Sequence, residues 1–195
     1  MVWTRYSKPK TIFLKEFIKN KSTGALCASS QKLARAMIKD VGLENAKSIV
    51  EIGAGTGSFT QLILKEKPQD ALFFAIEQNP LMAKELLSKF TNLDCEVCNA
   101  KFLAQMLEKR GLNAVDLVIS GIPWTILKNE EQDELLALIH KNLKRGAYLS
   151  TFLYVLPTLA KRKFTKKLYA NFSEIKTSKL VYGNIPPAIV YYCRK

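Results

Sequence analysis

The sequence predicts an α/β fold, an open, doubly wound and mostly parallel sheet of seven strands with an antiparallel last strand. Three observations predict it. Apolar strand-like runs alternate with helical patterns between residues 48 and 154, which is the rhythm of linked βαβ units. The first of these runs turns into a helix through three alternating glycines, Gly53, Gly55 and Gly57. The chain closes on two further strand-like runs, 174–181 and 188–193, with Gly183 and Pro186-Pro187 between them.

In order, strands are expected at 48–52, 72–77, 94–98, 115–121 and 147–154, rich in Val, Ile, Leu and Phe. Helices are expected at 59–66, 81–90, 104–110 and 130–143, the last with an apolar stripe through Leu135, Leu136, Leu138, Ile139 and Leu143. Gly146, just after Lys144-Arg145, reads as the stop of that helix. With 195 residues the chain suits one domain, residues 1–195, able to bury about 70% of its unfolded surface. Residues 31–195 form the expected core, and residues 1–30 an added N-terminal segment.

Hydrophobic residues at 48% are ordinary for a globular protein, and no run approaches the ~20 apolar residues of a membrane span. Trp3, Arg5, Tyr6, Lys8 and Lys10 break any signal-peptide core, which leads to a cytoplasmic expectation. Four cysteines fit a reducing compartment. Cys95 and Cys98, three apart in a strand, point to opposite faces and lack a second pair, so they read as buried thiols, with no metal expected. The single histidine, His140, reads as structural or surface. Thirty Lys and Arg against seventeen Asp and Glu leave a net charge of +13, which favours a polyanionic partner, either nucleic acid or an anionic membrane.

The glycine loop narrows the ligand. Glycine carries no Cβ, so Gly-x-Gly-x-Gly lets a ligand approach the main chain. The dinucleotide fingerprint is excluded because Ser58 stands where its third glycine belongs, and the phosphate-binding loop because no lysine follows Gly57 until Lys65. Glu51 precedes Gly53 by two residues, and Glu-x-Gly-x-Gly-x-Gly resembles the first motif of class I S-adenosylmethionine methyltransferases. That resemblance implies a Rossmann-like class I methyltransferase fold. It also implies S-adenosylmethionine as cofactor, with S-adenosylhomocysteine as product, on Glu51, Gly53, Gly55 and Gly57. A nucleotide fold without methyl transfer is the alternative.

Ligands of such sheets lie outside the carboxyl ends of the strands. Glu77, with Gln78 beside it, closes the second strand twenty residues beyond Gly57, where a carboxylate can accept hydrogen bonds from both ribose hydroxyls. Asn99-Ala100 follows the third strand, and there many methyltransferases place an acid on the adenine amino group; Asn99 can accept through its carbonyl. Ser120-Gly121-Ile122-Pro123-Trp124 follows the fourth strand and is similar to the amine-binding motif of N-methyltransferases, although Ser120-Gly121 departs from the Asn-Pro-Pro-Tyr form. Pro123 stiffens this loop, and Trp124 is expected either to offer its face to an amine or to cap the sheet from inside. Tyr154 ends the fifth strand at the same mouth, and Tyr182 is a further tyrosine near it. Ser120, Gly121, Trp124 and Tyr154 are thus the candidate catalytic residues, and Ser120 borders the cofactor too.

Two basic stretches flank the core. Over residues 10–21 at 100° per residue, Phe13, Leu14, Phe17 and Ile18 share an arc of about 140°, while Lys15 and Lys19 lie outside it. Such a helix can lie in a bilayer interface, with its lysines on anionic lipid, or dock on its own domain. The second stretch holds Lys161, Arg162, Lys163, Lys166 and Lys167, with Phe164, Tyr169 and Phe172 interleaved, as in an interfacial helix or a nucleic-acid patch.

Taken together, Phe13 to Phe17, Ala28-Ser29-Ser30, Glu51 to Gly57, Ser120 to Pro123 and Asn184-Ile185-Pro186-Pro187-Ala188 resemble the bacterial phospholipid N-methyltransferase family across nearly the whole chain. Ala28 replaces the proline common in that family. The resemblance implies Ser29 and Ser30 close to the cofactor and a protein held at the inner face of the cell membrane; a monomer is expected. It implies successive methylation of phosphatidylethanolamine toward phosphatidylcholine. The alternatives are another aminolipid such as an ornithine lipid, an adenine of ribosomal RNA, and a membrane-binding module without turnover.

Overall fold

The computed structural model describes residues 24–182, 184 and 186–195, so the amphipathic segment expected at 10–21 lies outside the described residues. Helices α1 (Gly24–Ile38), α2 (Thr60–Glu66), α3 (Pro80–Lys89), α4 (Leu103–Glu108), α5 (Asn129–Asn142) and α6 (Leu159–Asn171) cover the sheet. Its strands are β1 (Ser48–Ile52), β2 (Leu72–Ile76), β3 (Cys95–Glu96), β4 (Val115–Ser120), β5 (Leu143–Tyr154), β6 (Glu174–Thr177) and β7 (Ala188–Arg194), in the order β3-β2-β1-β4-β5-β7-β6. The first five run parallel; β7 is antiparallel to both β5 and β6. This is the seven-stranded, mostly parallel Rossmann-like sheet expected of a class I methyltransferase.

Every residue of β1 is buried, as a strand covered on both faces requires. One core cluster joins Ile49, Leu117, Ile119 and Phe152 to Leu33, Met37 and Ile63 of α1 and α2. The other joins Val50, Val118 and Leu149 to Leu136, Ile139, Phe164 and Leu168 of α5 and α6. Helix α3 starts where the sequence signals it: Pro80 occupies its first turn and Asn79 caps it, accepting from the Leu81 and Met82 N–H groups. Helix α1 runs without a break through residues 30 and 31, where the sequence reading drew the edge of the core.

Helix α1 has no counterpart among the expected helices, the strand expected at 174–181 ends at Thr177, and two further elements differ from expectation. The third strand is only the pair Cys95–Glu96. Gly146 is not a helix stop: α5 ends at Asn142, β5 begins at once, and Gly146 at φ +80° sits inside β5. There the pairing with β4 jumps from Val115–Leu143 to Leu117–Tyr148. Glycine takes this conformation without Cβ strain, and its N–H reaches the Lys195 carbonyl at 2.9 Å, so it serves a bulge.

Strand register aligns Ile52 with Ile76 and Ser120, and Ser120 with Thr151. The loops after β1, β2, β4 and β5 therefore open on one edge. The opposite edge is pinned by Asp116, whose carboxylate accepts from the Lys47 and Ser48 N–H groups, the Ser48 hydroxyl and Lys144 Nζ at 2.8–3.1 Å. Burial pushes this carboxyl up, but the bonds from Lys144 and Ser48 outweigh it and hold it below the usual range.

Candidate active site

The glycine loop leaves β1 with Gly53, Gly55 and Gly57 all at positive φ, between +59° and +93°. Two glycines answer close contacts as well. A Cβ on Gly57 would lie 2.5 Å from the Phe90 ring and 2.9 Å from Leu86, and one on Gly121 would lie 2.5 Å from the Gly53 carbonyl oxygen. The loop after β4 is thus pressed directly on the loop after β1.

Glu77, 6% exposed, ties the same region together. Its Oε2 accepts from the Gly55 N–H at 2.7 Å and its Oε1 from the Asn79 N–H at 2.8 Å. A carboxylate has about four acceptor sites, so two stay open for ribose hydroxyls. This donor demand and the glycine cradle fit the nucleoside end of S-adenosylmethionine. Glu51 is fully buried and accepts from the Thr60 hydroxyl at 2.6 Å, fastening β1 to the first turn of α2. Gln78 and Asn99 are joined by a 3.0 Å bond across the ends of β2 and β3. The Asn99 carbonyl, expected to accept from adenine, already caps the Lys101 N–H at 2.9 Å and retains one lone pair; Ala100 opens the short 3-10 turn that follows.

The Cys95 thiol is pushed up to about 11 by burial first and then by the Glu77 and Glu51 carboxylates. It is protonated and unreactive at neutral pH, while Cys98 is raised by burial as well.

The reading of Trp124 as an aromatic face for substrate is corrected by the structure. Its side chain has 0% exposure, stacks on Phe164 at 4.7 Å between centroids, and donates Nε1–H to Thr151 Oγ1 at 2.9 Å. The cause is strand alternation: Thr151 and Ser120 face the α5–α6 side, so the turn after β4 carries the indole under the sheet. Gln132, 3% exposed on α5, holds that turn through the Trp124 and Leu127 carbonyls. Ser120 is fully buried, its hydroxyl turned to the Ile122 N–H at 3.4 Å. The Gly121 N–H donates to Ile52, and its carbonyl accepts no hydrogen bond among the described residues.

Tyr154 stands on the other face, its ring edge-to-face with Phe152 at 5.4 Å, and Phe152 in turn edge-to-face with Phe59 at 6.0 Å. Burial pushes its phenol up to about 12. Tyr182 is 70% exposed. Ser29 and Ser30 lie within α1. The structure therefore gathers Glu51, Gly53, Gly55, Gly57, Glu77 and Gly121, and it separates Ser120 and Trp124 from Tyr154 by the thickness of the sheet.

Sequence reasoning missed Asn79, Thr60, Thr151 and Gln132. Asn79-Pro80 carried a helix-start signal that could have marked the first; the other three pair across distant segments and leave no local pattern.

The profile of the FtsJ-like methyltransferase family matches residues 27–178. A protein of Singulisphaera acidiphila, ornithine lipid N-methyltransferase, is 31% identical over 189 residues, which is 94% of each chain. Ribosomal RNA small subunit methyltransferase A of Thermotoga petrophila is 26% identical over 106 residues, 54% of this chain and 38% of its own length. Among solved structures, the 1,6-didemethyltoxoflavin N1-methyltransferase of Burkholderia thailandensis, with bound S-adenosylhomocysteine, shares the fold. It superposes with a TM-score of 0.69 at 15% identity over 100% of this chain and 93% of that one.

Proposed function

We propose a membrane aminolipid as the methyl acceptor of this chain, which belongs to the FtsJ-like methyltransferase family and is an S-adenosylmethionine-dependent methyltransferase. The observation that carries an amine acceptor is the packing of the loop after β4 on the cofactor loop, so close that a Cβ on Gly121 would lie 2.5 Å from the Gly53 carbonyl oxygen, with the Gly121 carbonyl accepting no hydrogen bond among the described residues. The lipid class is supported by the ornithine lipid N-methyltransferase relative, similar over 94% of both chains. An ornithine-type headgroup is the first acceptor on that ground, and phosphatidylethanolamine is the second, on the motifs that resemble phospholipid N-methyltransferases. The ribosomal RNA relative supports its reading over only 54% of this chain.

When bound, S-adenosylmethionine supplies an electrophilic methyl group on a sulfonium sulfur. An ammonium must lose a proton before it attacks, so the chain's task is to hold a neutral amine in line. The Gly121 carbonyl accepts one amine N–H. The Tyr154 phenol, held near 12, stays protonated at neutral pH and orients the headgroup by donating, not by acting as a base. The proton leaves to water. Glu77 and the glycine loop supply binding energy remote from the reacting nitrogen.

The basic N-terminal face fits the same reading. Phe13, Leu14, Lys15, Phe17, Ile18 and Lys19 would rest on the inner leaflet, and among the described residues no helix is long and apolar enough to cross a membrane. The test is methyl transfer from labelled S-adenosylmethionine to ornithine lipid, phosphatidylethanolamine and ribosomal RNA side by side. Label in lipid is the expected result; label in RNA alone refutes the proposal. Replacing Phe13 and Phe17 by Ser should lower binding to anionic vesicles while leaving cofactor affinity unchanged.

A further inference from the structure

We propose that the groove between the end of β5 and α6 is an oxyanion site that seats the protein on the phosphate groups of anionic bilayer lipid, beside the acceptor mouth. The inference rests on the lipid reading above and adds a second membrane contact within the described residues. The groove has a volume of about 630 Å³ and is lined by Leu156, Pro157, Leu159, Lys161, Arg162 and Lys166, among others.

Helix α6 carries five Lys and Arg and no acid. Its faces are used differently. Phe164 and Leu168 fill the core at 0% exposure. Lys167 turns to α5, where Asp133 and the Asn129 carbonyl hold it at 2.8 Å. Lys161, Arg162 and Lys166 line the groove and have no ion-pair partner among the described residues. Arg162 and Lys166 are one turn apart, where like charges repel and weaken a helix. An oxyanion between them removes that repulsion.

The rim selects the partner. Leu159 is 73% exposed and stands with Leu156 and Pro157 beside the cations, an apolar edge suited to the boundary of headgroups and acyl chains. A single-stranded nucleic acid would instead use aromatic faces for base stacking; the groove's own aromatic, Tyr191, is 6% exposed, Phe164 and Phe172 are buried, and the exposed Tyr169 does not line the groove. The groove starts two residues beyond Tyr154, on a loop fixed by the bonds from Val155 N–H to Pro187, Leu156 N–H to Tyr154 and Thr158 N–H to Leu156 at 2.7–2.9 Å. A phosphate held there sets the mouth against the bilayer surface.

The experiment is flotation of the full chain with vesicles of phosphatidylcholine, with and without phosphatidylglycerol. It compares the pair Arg162→Gln, Lys166→Gln with a charge-matched pair at the far edge of the sheet, Lys47→Gln, Lys141→Gln. Each cation near an anionic surface carries up to ~1 kcal/mol, so the groove pair should lose roughly ten- to thirtyfold in affinity for the anionic vesicles and the far pair less than about threefold. Both pairs should bind S-adenosylmethionine like the parent, which checks folding. Equal losses in the two pairs overturn the groove and leave only diffuse charge; loss of ribosomal RNA binding with vesicle binding intact overturns it in favour of a nucleic acid. If lipid is methylated and the groove pair binds vesicles normally, the groove falls alone. If no lipid is methylated while the groove pair governs vesicle binding, the acceptor reading falls alone.

Discussion

Replacing Gly121 by Ala tests whether the cofactor and acceptor loops form one packed unit. Gly121 is not among the glycines at positive φ, so Ala adds volume without backbone strain. Its Cβ would meet the Gly53 carbonyl oxygen at 2.5 Å, whereas a close carbon–oxygen contact is about 3.3–3.6 Å, a shortfall of roughly 1 Å. The obstacle is backbone, with a further contact to the Phe59 ring at 3.5 Å, so no flexible side-chain tip can give way. Overpacking of this kind costs about 1–3 kcal/mol, and at about 2–4 °C per kcal/mol for this chain length Tm should fall by about 2–12 °C. The larger effect should be on turnover. A 1 Å displacement between donor and acceptor loops can cost about 10²-fold in rate. The assays are calorimetric unfolding and initial rates with labelled S-adenosylmethionine. A Tm unchanged to about 1 °C together with a rate within about twofold would refute the reasoning, because the loops would then tolerate a gap the packing does not provide.

Glu77→Gln should place an amide NH₂ against one of the two backbone N–H groups that the carboxylate now satisfies, those of Gly55 and Asn79. Losing one charge-assisted bond costs about 1.5–3 kcal/mol, so titration calorimetry should find S-adenosylmethionine bound roughly 10- to 100-fold more weakly. Trp124→Phe keeps a ring on Phe164 but loses the bond to Thr151, so Tm should drop by about 2–8 °C with KM for the acceptor unchanged; a raised KM would return Trp124 to the substrate site. Asp116 is held below the usual carboxylate range in the fold, so the unfolded chain takes up the proton first as pH falls. Its contribution is complete above the ordinary carboxylate pKa near 4 and is lost as pH falls from there through the lower folded-state value. Urea unfolding should therefore show Asp116→Asn weaker than the parent by about 1–2 kcal/mol at pH 7, with the gap narrowing as pH falls below about 4; a gap independent of pH would contradict this.

Much of the site was legible because its signals are local. Glu51 to Gly57 is a contiguous run whose positive-φ demand only glycine meets cheaply, and Glu77 stands at a fixed offset along the next strand. Trp124 was the misleading case. A Pro-Trp after a strand reads alike whether the ring turns out to a ligand or under the sheet, and the choice depended on Thr151 and Phe164, which are distant in the chain. Gly146 misled for a related reason. A basic pair followed by Gly is a helix-stop pattern, yet here the partner strand and the Lys195 carbonyl claim the glycine for a bulge.

By itself, the sequence determined the alternating sheet-and-helix order, the glycine loop with its acid, and the unbalanced charge. These rest on backbone torsion preference, on periodicities of 2 and 3.6 residues, and on composition, none of which needs a distant contact. Tertiary structure alone decided that Gly121 abuts Gly53, that both Glu77 oxygens hold backbone N–H groups, that Trp124 belongs to the core, and that three cations of α6 are left together along one groove. Each of these is a pairing across the fold, fixed by strand register and helix packing, and such pairings are free to vary while the local pattern stays the same.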